Sequence, residues 1–227
     1  MKNRYIFHSK IFETQFRVIL RMFCDDRTLD EIQSETGISR PTLTRIIRLI
    51  RERIVEMSEL EAKFSGEVEV DESYFGPRRV RGKRGRGAGK KVPVVGLLKR
   101  GGKVYTKVVE NCSRKELLPV IQGKILSEST VYTDAWKSYD SLILHGYDHY
   151  RIHHHENEFA RGKNHINGIE SFWSFAKRRL VRANGVRKDK FLLHLKESEF
   201  RWNHRKDDMY KTLIGELKAR PLNANLY

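Results

Sequence analysis

The hydrophobic pattern of this chain changes period at Gly66, and that change limits what it can fold into. Before Gly66 the apolar residues recur at helical spacing. Phe12, Phe16, Ile19 and Phe23 fall on one face of a helix expected over residues 9–24. Thr28-Leu-Asp-Glu31 has capping-box form and opens a second helix over 28–36. Thr36-Gly-Ile-Ser39 reads as a turn. Ser39 then caps a third helix, with Pro41 in the first turn, where a missing N–H costs little. Leu43, Ile46, Ile47, Ile50 and Ile54 form its apolar stripe, and Arg40, Thr42, Arg45, Arg48 and Arg51 lie elsewhere on its surface. A helix, a glycine turn and a basic helix make a helix-turn-helix pattern. Arg40, Thr42, Arg45 and Arg48 are therefore DNA-contact candidates; an ordinary helical hairpin with solvated arginines is the structural alternative.

After Gly66 the pattern alternates. Val68 and Val70 take one face of a strand, and Glu69 and Asp71 take the other. Val92–Leu98 is a nearly continuous apolar run, as in a buried central strand. Gly101-Gly102 turns the chain into a third strand over 103–110. Ser113 is placed to cap a helix reaching Lys124, and a fourth strand covers 130–133. A helix over 136–145, a fifth strand over 150–154 and helices over 167–182 and 188–204 follow. Three strands and then alternating helices and strands give an α/β fold: a mixed five-stranded sheet with flanking helices, in the element order of an RNase H-like domain. The expected division is a helical DNA-binding domain over 1–58, a linker over 59–65, a catalytic domain over 66–210 and a C-terminal tail over 211–227.

Three acids stand out in this frame. Asp71 lies on the first strand of the sheet, Asp134 ends the fourth, and Glu170 sits in a helical segment with Lys177 seven residues on, two turns along one face. Phosphodiester cleavage and transfer need an activated oxygen nucleophile and a stabilised leaving oxygen, which two divalent ions about 3.5–4 Å apart supply. Mg²⁺ takes hard oxygen ligands and keeps several waters, so two or three carboxylates suffice. Asn167, one turn before Glu170, is a neutral alternative ligand. Each acid taken singly also has a structural use, since Asp134 is placed to cap the segment after it. Glu72 is expected to point to the face opposite Asp71.

Val70-Asp-Glu-Ser-Tyr-Phe-Gly76, Val131-Tyr-Thr-Asp-Ala-Trp-Lys-Ser-Tyr139 and His165-Ile-Asn-Gly-Ile-Glu-Ser-Phe-Trp-Ser-Phe-Ala-Lys177 together resemble the three signature blocks of bacterial insertion-sequence transposases, in the ISXO-like branch of the DDE superfamily. The resemblance covers roughly residues 60–205. It implies an RNase H-like catalytic domain, two Mg²⁺ or Mn²⁺ ions, DNA cleavage and strand transfer, and a homo-oligomer acting on double-stranded transposon ends and target. Asp71 and Asp134 match the first two acids of that pattern. The third position admits an acid or an Asn, and the step from Glu170 to Lys177 favours Glu170 over Asn167. Relatives in this branch often begin with a cysteine zinc module. This chain has two cysteines, Cys24 and Cys112, far apart and without a CxxC partner, so no structural zinc is expected.

The net charge of +16 points to a polyanionic partner. Half of it comes from Gly76–Lys91, sixteen residues with eight Lys/Arg, five Gly and no acid. Arg78, Arg79, Arg81, Lys83, Arg84, Arg86, Lys90 and Lys91 are expected to contact phosphate near Asp71, non-specifically and with strong salt dependence. Lys177 and Arg178 extend the basic surface along the helix of Glu170. The histidines 153–155 with His165 read as surface imidazoles more readily than as a transition-metal site. The stripe Ile169, Phe172, Trp173, Ala176 and Leu180 reads as core. No apolar run reaches the roughly 20 residues that span a bilayer, and the N-terminus lacks a signal-like apolar stretch, so a cytoplasmic protein acting on the nucleoid, with no membrane partner, is expected. The competing functions are a metal-dependent nuclease on the same scaffold, a DNA-binding relic or repressor with inert acids, and an RNA-binding module. The last lacks an RNP-type aromatic pattern.

Overall fold

The computed structural model describes residues 3–76, 91–134, 139, 142–152, 166–183 and 185–223. The chain divides into two compact units, one made of residues 1–60 and 204–227 and the other of residues 61–203.

The first unit begins with a short strand, β1 (Ile6–Phe7), and three helices: α1 (Glu13–Cys24), α2 (Leu29–Thr36) and α3 (Arg40–Leu60). The local signals act as expected. The Thr28 hydroxyl accepts the Glu31 N–H at 3.3 Å while the Glu31 carboxylate accepts the Thr28 N–H at 2.7 Å. Gly37 closes α2 in the left-handed region at φ 66°. Leu43, Ile46, Ile47, Ile50 and Ile54 are all buried along α3. Helix α3 runs without a break to Leu60, so it takes in the first two residues of the linker expected over 59–65. Residues 211–227, expected as a tail, instead contain most of a further helix, Met209–Ala219, and a strand, Leu222–Asn223, that pairs in parallel with β1. Leu213 and Leu217 bury that helix within the unit, which an extended tail would leave in solvent.

The second unit holds β2 (Glu67–Phe75), β3 (Val92–Lys99), β4 (Val104–Val108), α4 (Arg114–Lys124), β5 (Thr130–Asp134), β6 (Asp148–Ile152), α5 (Asn167–Arg182) and α6 (Phe191–Asn203). By chain order the helix over Met209–Ala219 is α7 and the strand over Leu222–Asn223 is β7. The sheet order is β4-β3-β2-β5-β6, antiparallel across β2–β3–β4 and parallel across β2–β5–β6. Counted from its own first strand this is 3-2-1-4-5, the arrangement of an RNase H-like fold. Each sheet face has its own apolar layer. Val68, Val70, Val95, Leu97 and Val131 pack with Leu117 and Ile121 of α4 on one face. Val94, Leu98 and Tyr132 pack with Ile169, Phe172 and Trp173 of α5 on the other. Of the helix expected over 136–145, the described part is a 3-10 turn at Ile143–His145; residues 135–138 and 140–141, with Trp136, lie outside the description. No described helix is long and apolar enough to cross a membrane.

The strand β4 lies at one edge of this sheet, and α6 covers it with polar side chains. The Asn203 amide accepts the Val104 N–H and donates to the Val104 carbonyl, both at 2.8 Å. Glu199 accepts the Thr106 N–H at 2.7 Å and its hydroxyl at 2.6 Å, and receives the buried Lys196 ammonium at 3.0 Å. These bonds occupy backbone groups that a bare edge would offer to another strand. Asn203→Ala removes two of them at once. It is expected to cost about 1–3 kcal/mol of unfolding free energy, as a buried polar group left without its partner does, measured by urea denaturation; an unchanged midpoint would show that the edge is capped in some other way.

Candidate active site

Parallel pairing of β2 with β5 sets the site. The register Glu67–Thr130, Val68–Val131 and Glu69–Tyr132 places residues of the two strands side by side and facing the same way. Asp71 lies two residues beyond Glu69 and Asp134 two beyond Tyr132, so both project from the α5 face, and their carboxylates meet. Glu72 joins them: oxygens of Asp71, Glu72 and Asp134 lie within 4.8 Å of one another. Backbone pairing between β2 and β5 stops at Glu69, two residues before Asp71. Glu72 leaves the strand on the opposite face, as expected, beside Val70, Tyr74 and Tyr139 of the α4-side layer, yet its carboxylate reaches the other two. The buried Tyr139 hydroxyl then donates to Glu72 at 2.5 Å and holds it there.

Helix α5 runs alongside β2 and touches it at three levels. At its start the carboxylate of Glu69, 1% exposed, accepts the Ile169 N–H at 2.9 Å, a negative charge where the helix dipole and free N–H groups favour one. Gly168 permits that approach, since a Cβ there would stand 2.8 Å from the Glu69 carboxylate. One turn on, the Trp173 indole N–H donates to Asp71 at 3.0 Å. Its ring fits against the sheet because β3 carries Gly96 opposite Asp71, where a Cβ would lie 2.5 Å from the indole. One turn further, the Lys177 ammonium sits 5.8 Å from the centre of the Phe75 ring.

Glu170 and Asn167 are both exposed at the start of α5. Neither belongs to the close three-acid group. The charge of Glu170 nevertheless reaches Asp71 and helps raise its proton affinity. The described part of the site therefore joins Asp71 and Asp134 directly, with α5 carrying Glu170 and Lys177 along its flank. The indole of Trp173 does more than the core packing its apolar stripe suggests.

The electrostatics follow from crowding. Burial, first, and then the charges of Asp134 and Glu170 raise the Asp71 carboxyl to about 6, against the Trp173 hydrogen bond that lowers it. Burial and then the Asp71 and Asp134 charges raise Glu72 to about 7, against the Tyr139 hydrogen bond. Half-buried carboxylates that repel one another are a suitable donor set for a hard divalent ion, which relieves that repulsion and takes oxygen ligands.

Of the other sequence candidates, Arg40 pairs with Asp30, and Arg48 pairs with Glu52 at 2.8 Å. Arg45 and Arg178 are exposed, and Thr42, half-buried, has its hydroxyl 2.9 Å from that of Ser39. Lys91 is half-buried at the start of β3. Arg78, Arg79, Arg81, Lys83, Arg84, Arg86, Lys90 and the histidines 153–155 and 165 lie outside the described residues. Sequence reasoning missed Glu72, Tyr139, Glu69 and Gly168 as parts of one site. Glu69 shares its strand face with Glu67 and Asp71, so the local pattern carried no signal of its burial.

A family model for the ISXO2-like transposase domain matches residues 63–203. The chain belongs to that family. It is 48% identical over 102 residues, 45% of this chain and 82% of the relative, to an uncharacterized transposase-like protein of Haemophilus influenzae. To an uncharacterized protein in transposable element ISH50 of Halobacterium salinarum it is 29% identical over 191 residues, 77% of this chain and 64% of the relative. Among solved structures, a simian T-cell lymphotropic virus intasome bound to PP2A regulatory subunit B56 gamma is similar at a TM-score of 0.41 and 9% identity, over 82% of this chain and 68% of that one. The Mos1 transposase paired-end complex is similar at 0.31 and 11%, over 95% and 82%. For this transposase-family domain the ISXO-like resemblance of the three blocks and the family match agree.

The raised acids set a pH dependence. Their folded-state values of about 6 and about 7 exceed the ordinary 3.8 and 4.5, so the folded state holds more protons between pH 4 and 7. Stability of the metal-free protein is then expected to fall as pH rises through that window. Thermal melts at pH 5 and pH 8 should show a larger loss for wild type than for the double variant Asp71→Asn, Glu72→Gln, with Mg²⁺ at pH 8 restoring wild type only. Parallel pH profiles for the two proteins would contradict the assignment.

Proposed function

We propose that this chain is a DNA transposase that cuts insertion-sequence ends and joins them to target DNA at the cluster around Asp71 and Asp134. The observation that carries the reading is the meeting of Asp71 and Asp134 beside a helix that presents Glu170 and Lys177. Asp71 and Asp134 would hold two Mg²⁺ or Mn²⁺ ions, with Glu170 as third ligand and Asn167 as the alternative. Ions bound there would generate the oxygen nucleophile, water first and a freed 3′-hydroxyl second, and neutralise the leaving oxygen. Trp173 fixes the orientation of Asp71 through its N–H, and Tyr139 fixes Glu72. Lys177, two turns from Glu170, would hold a phosphate of the strand. The helix-turn-helix with Arg40, Thr42, Arg45 and Arg48 would bind duplex ends, and Gly76–Lys91 and Arg178 would grip phosphate. A homo-oligomer pairing two ends in the bacterial cytoplasm completes the reading.

The deciding assay is strand cleavage and strand transfer on the element's own ends, with Mg²⁺ or EDTA. Asp71→Ala, Asp134→Ala and Glu170→Ala are each expected to abolish metal-dependent product, whereas Asn167→Ala retains it. Trp173→Phe keeps an aromatic ring but loses the N–H and part of the indole's volume, and is expected to slow cleavage about 10-fold, as removal of a ligand's supporting partner does. Activity that survives Glu170→Ala and vanishes with Asn167→Ala would reassign the third ligand. Cleavage with no joined product would favour a nuclease, and end binding with no cleavage would favour an inert DNA-binding relic.

Phosphate contacts are tested by salt. Replacing Arg78, Arg79, Arg81 and Lys83 by Gln is expected to reduce the slope of log K against log salt by about 3–4 for duplex DNA, roughly 0.9 per phosphate lost. An unchanged slope would remove that segment from the DNA interface.

A further inference from the structure

Tyr150 is 49% exposed in the middle of β6, yet one side of its ring is already occupied. It stacks on Tyr132 with centroids 5.5 Å apart and planes 23° from parallel. Tyr132 is buried, and the Arg100 guanidinium carbon lies 3.6 Å from its ring centre. Arg100 comes from the end of β3, paired with Glu69 at 3.1 Å and Glu67 at 3.5 Å, and the Tyr132 hydroxyl donates to Glu67 at 2.8 Å. Because β5 lies between β2 and β6, Arg100 and Tyr150 approach Tyr132 from opposite sides. The result is a ladder of cation, buried ring and solvent-facing ring. Its inner end is pinned by two acids, and its outer end is a tyrosine whose ring plane is already fixed. Such a side chain loses little further freedom when something flat stacks on it.

The ladder also has an address. Tyr150 pairs with Tyr132, which precedes Asp134 by two residues on the same face of the sheet. Two residues along a strand and one strand across place Tyr150 about 8 Å from Asp134. A nucleotide whose phosphate sits at the acid cluster can set its base at that distance.

We propose that Tyr150 is a stacking platform for one unpaired nucleobase of the DNA strand whose phosphate occupies the Asp71–Asp134 cluster. The inference rests on the transposase reading for the identity of its ligand. A base stacked there is recognised by its π-face, so the platform tolerates all four bases and favours a frayed or extruded nucleotide over a paired one. The Arg100 charge behind Tyr132 fixes the ladder without meeting the ligand. A lone exposed tyrosine on an edge strand is ordinary. The pinned ladder and its distance from Asp134 set this one apart.

The test uses full-length protein with Ca²⁺ in place of Mg²⁺. The probe is a duplex of the element's end terminating in three unpaired nucleotides, with 5-iodouracil beside the bond to be cut. Irradiation is expected to cross-link the iodouracil to Tyr150. Tyr150→Ala is expected to bind this probe about 5- to 100-fold more weakly, the range that loss of one base–aromatic stack gives. Tyr150→Phe should bind it normally, and both variants should bind a fully paired blunt duplex as wild type does. Equal affinity of Tyr150→Ala for the unpaired probe overturns the proposal. So does a cross-link mapped elsewhere in wild type, a result that does not depend on any variant folding. Wild-type cleavage with Mg²⁺, run in parallel, separates the two claims. Cleavage without a Tyr150 cross-link removes the platform alone, whereas a Tyr150 cross-link without cleavage removes the transposase reading and leaves the platform.

Discussion

Parallel pairing between β2 and β5 is the constraint on which the site depends. It aligns Val68 with Val131 on one face and Glu69 with Tyr132 on the other, so one register both builds the α4-side core and carries Asp71 and Asp134 to the α5 side. A slip of one residue between the two strands would put Asp71 and Asp134 on opposite faces of the sheet. The pairing is short, three residues, and the carboxylates of Asp71, Glu72 and Asp134 gather just beyond it.

Helix α5 depends on that register in turn. Glu69 binds the helix at its N-terminus, Trp173 binds Asp71, and Lys177 meets Phe75, so the helix is read off against β2 level by level. Gly168 and Gly96 are the two places where a side chain would block that docking. Most of the buried charge in this unit serves placement. Glu69 positions α5, and the Glu199–Lys196 pair holds α6 across the open edge of β4. Such groups are costly to strip of their partners and therefore fix geometry.

Much of this was legible in the sequence, for physical reasons. The switch of hydrophobic period at Gly66 reported the change from helices to sheet, and the extent of α5 and the cap at Thr28 follow from local chemistry. Asp71 and Asp134 were legible because each follows an alternating or apolar strand run and falls within a block of the family pattern, although β2 continues past Asp71 to Phe75. The role of Glu72 was not, since alternation sends it to the opposite face, and its carboxylate is held near the other two by the Tyr139 hydroxyl, 67 residues away in the chain. Glu69 looked like a polar position on an alternating strand because its partner at Ile169 lies 100 residues on. The helix at Met209–Ala219 was read as tail because its apolar stripe is thin, with Leu213 and Leu217 its only fully buried members.

On the proposed function, Asp71 and Asp134 share a pair of divalent ions when the protein engages DNA. Electron paramagnetic resonance of the protein–DNA complex titrated with Mn²⁺ tests it directly. Two exchange-coupled Mn²⁺ per active chain are expected, at the about 3.5–4 Å separation of two-metal sites, with the coupling lost in Asp71→Asn and in Asp134→Asn. Uncoupled Mn²⁺ signals, or coupling that persists in both variants, would contradict it.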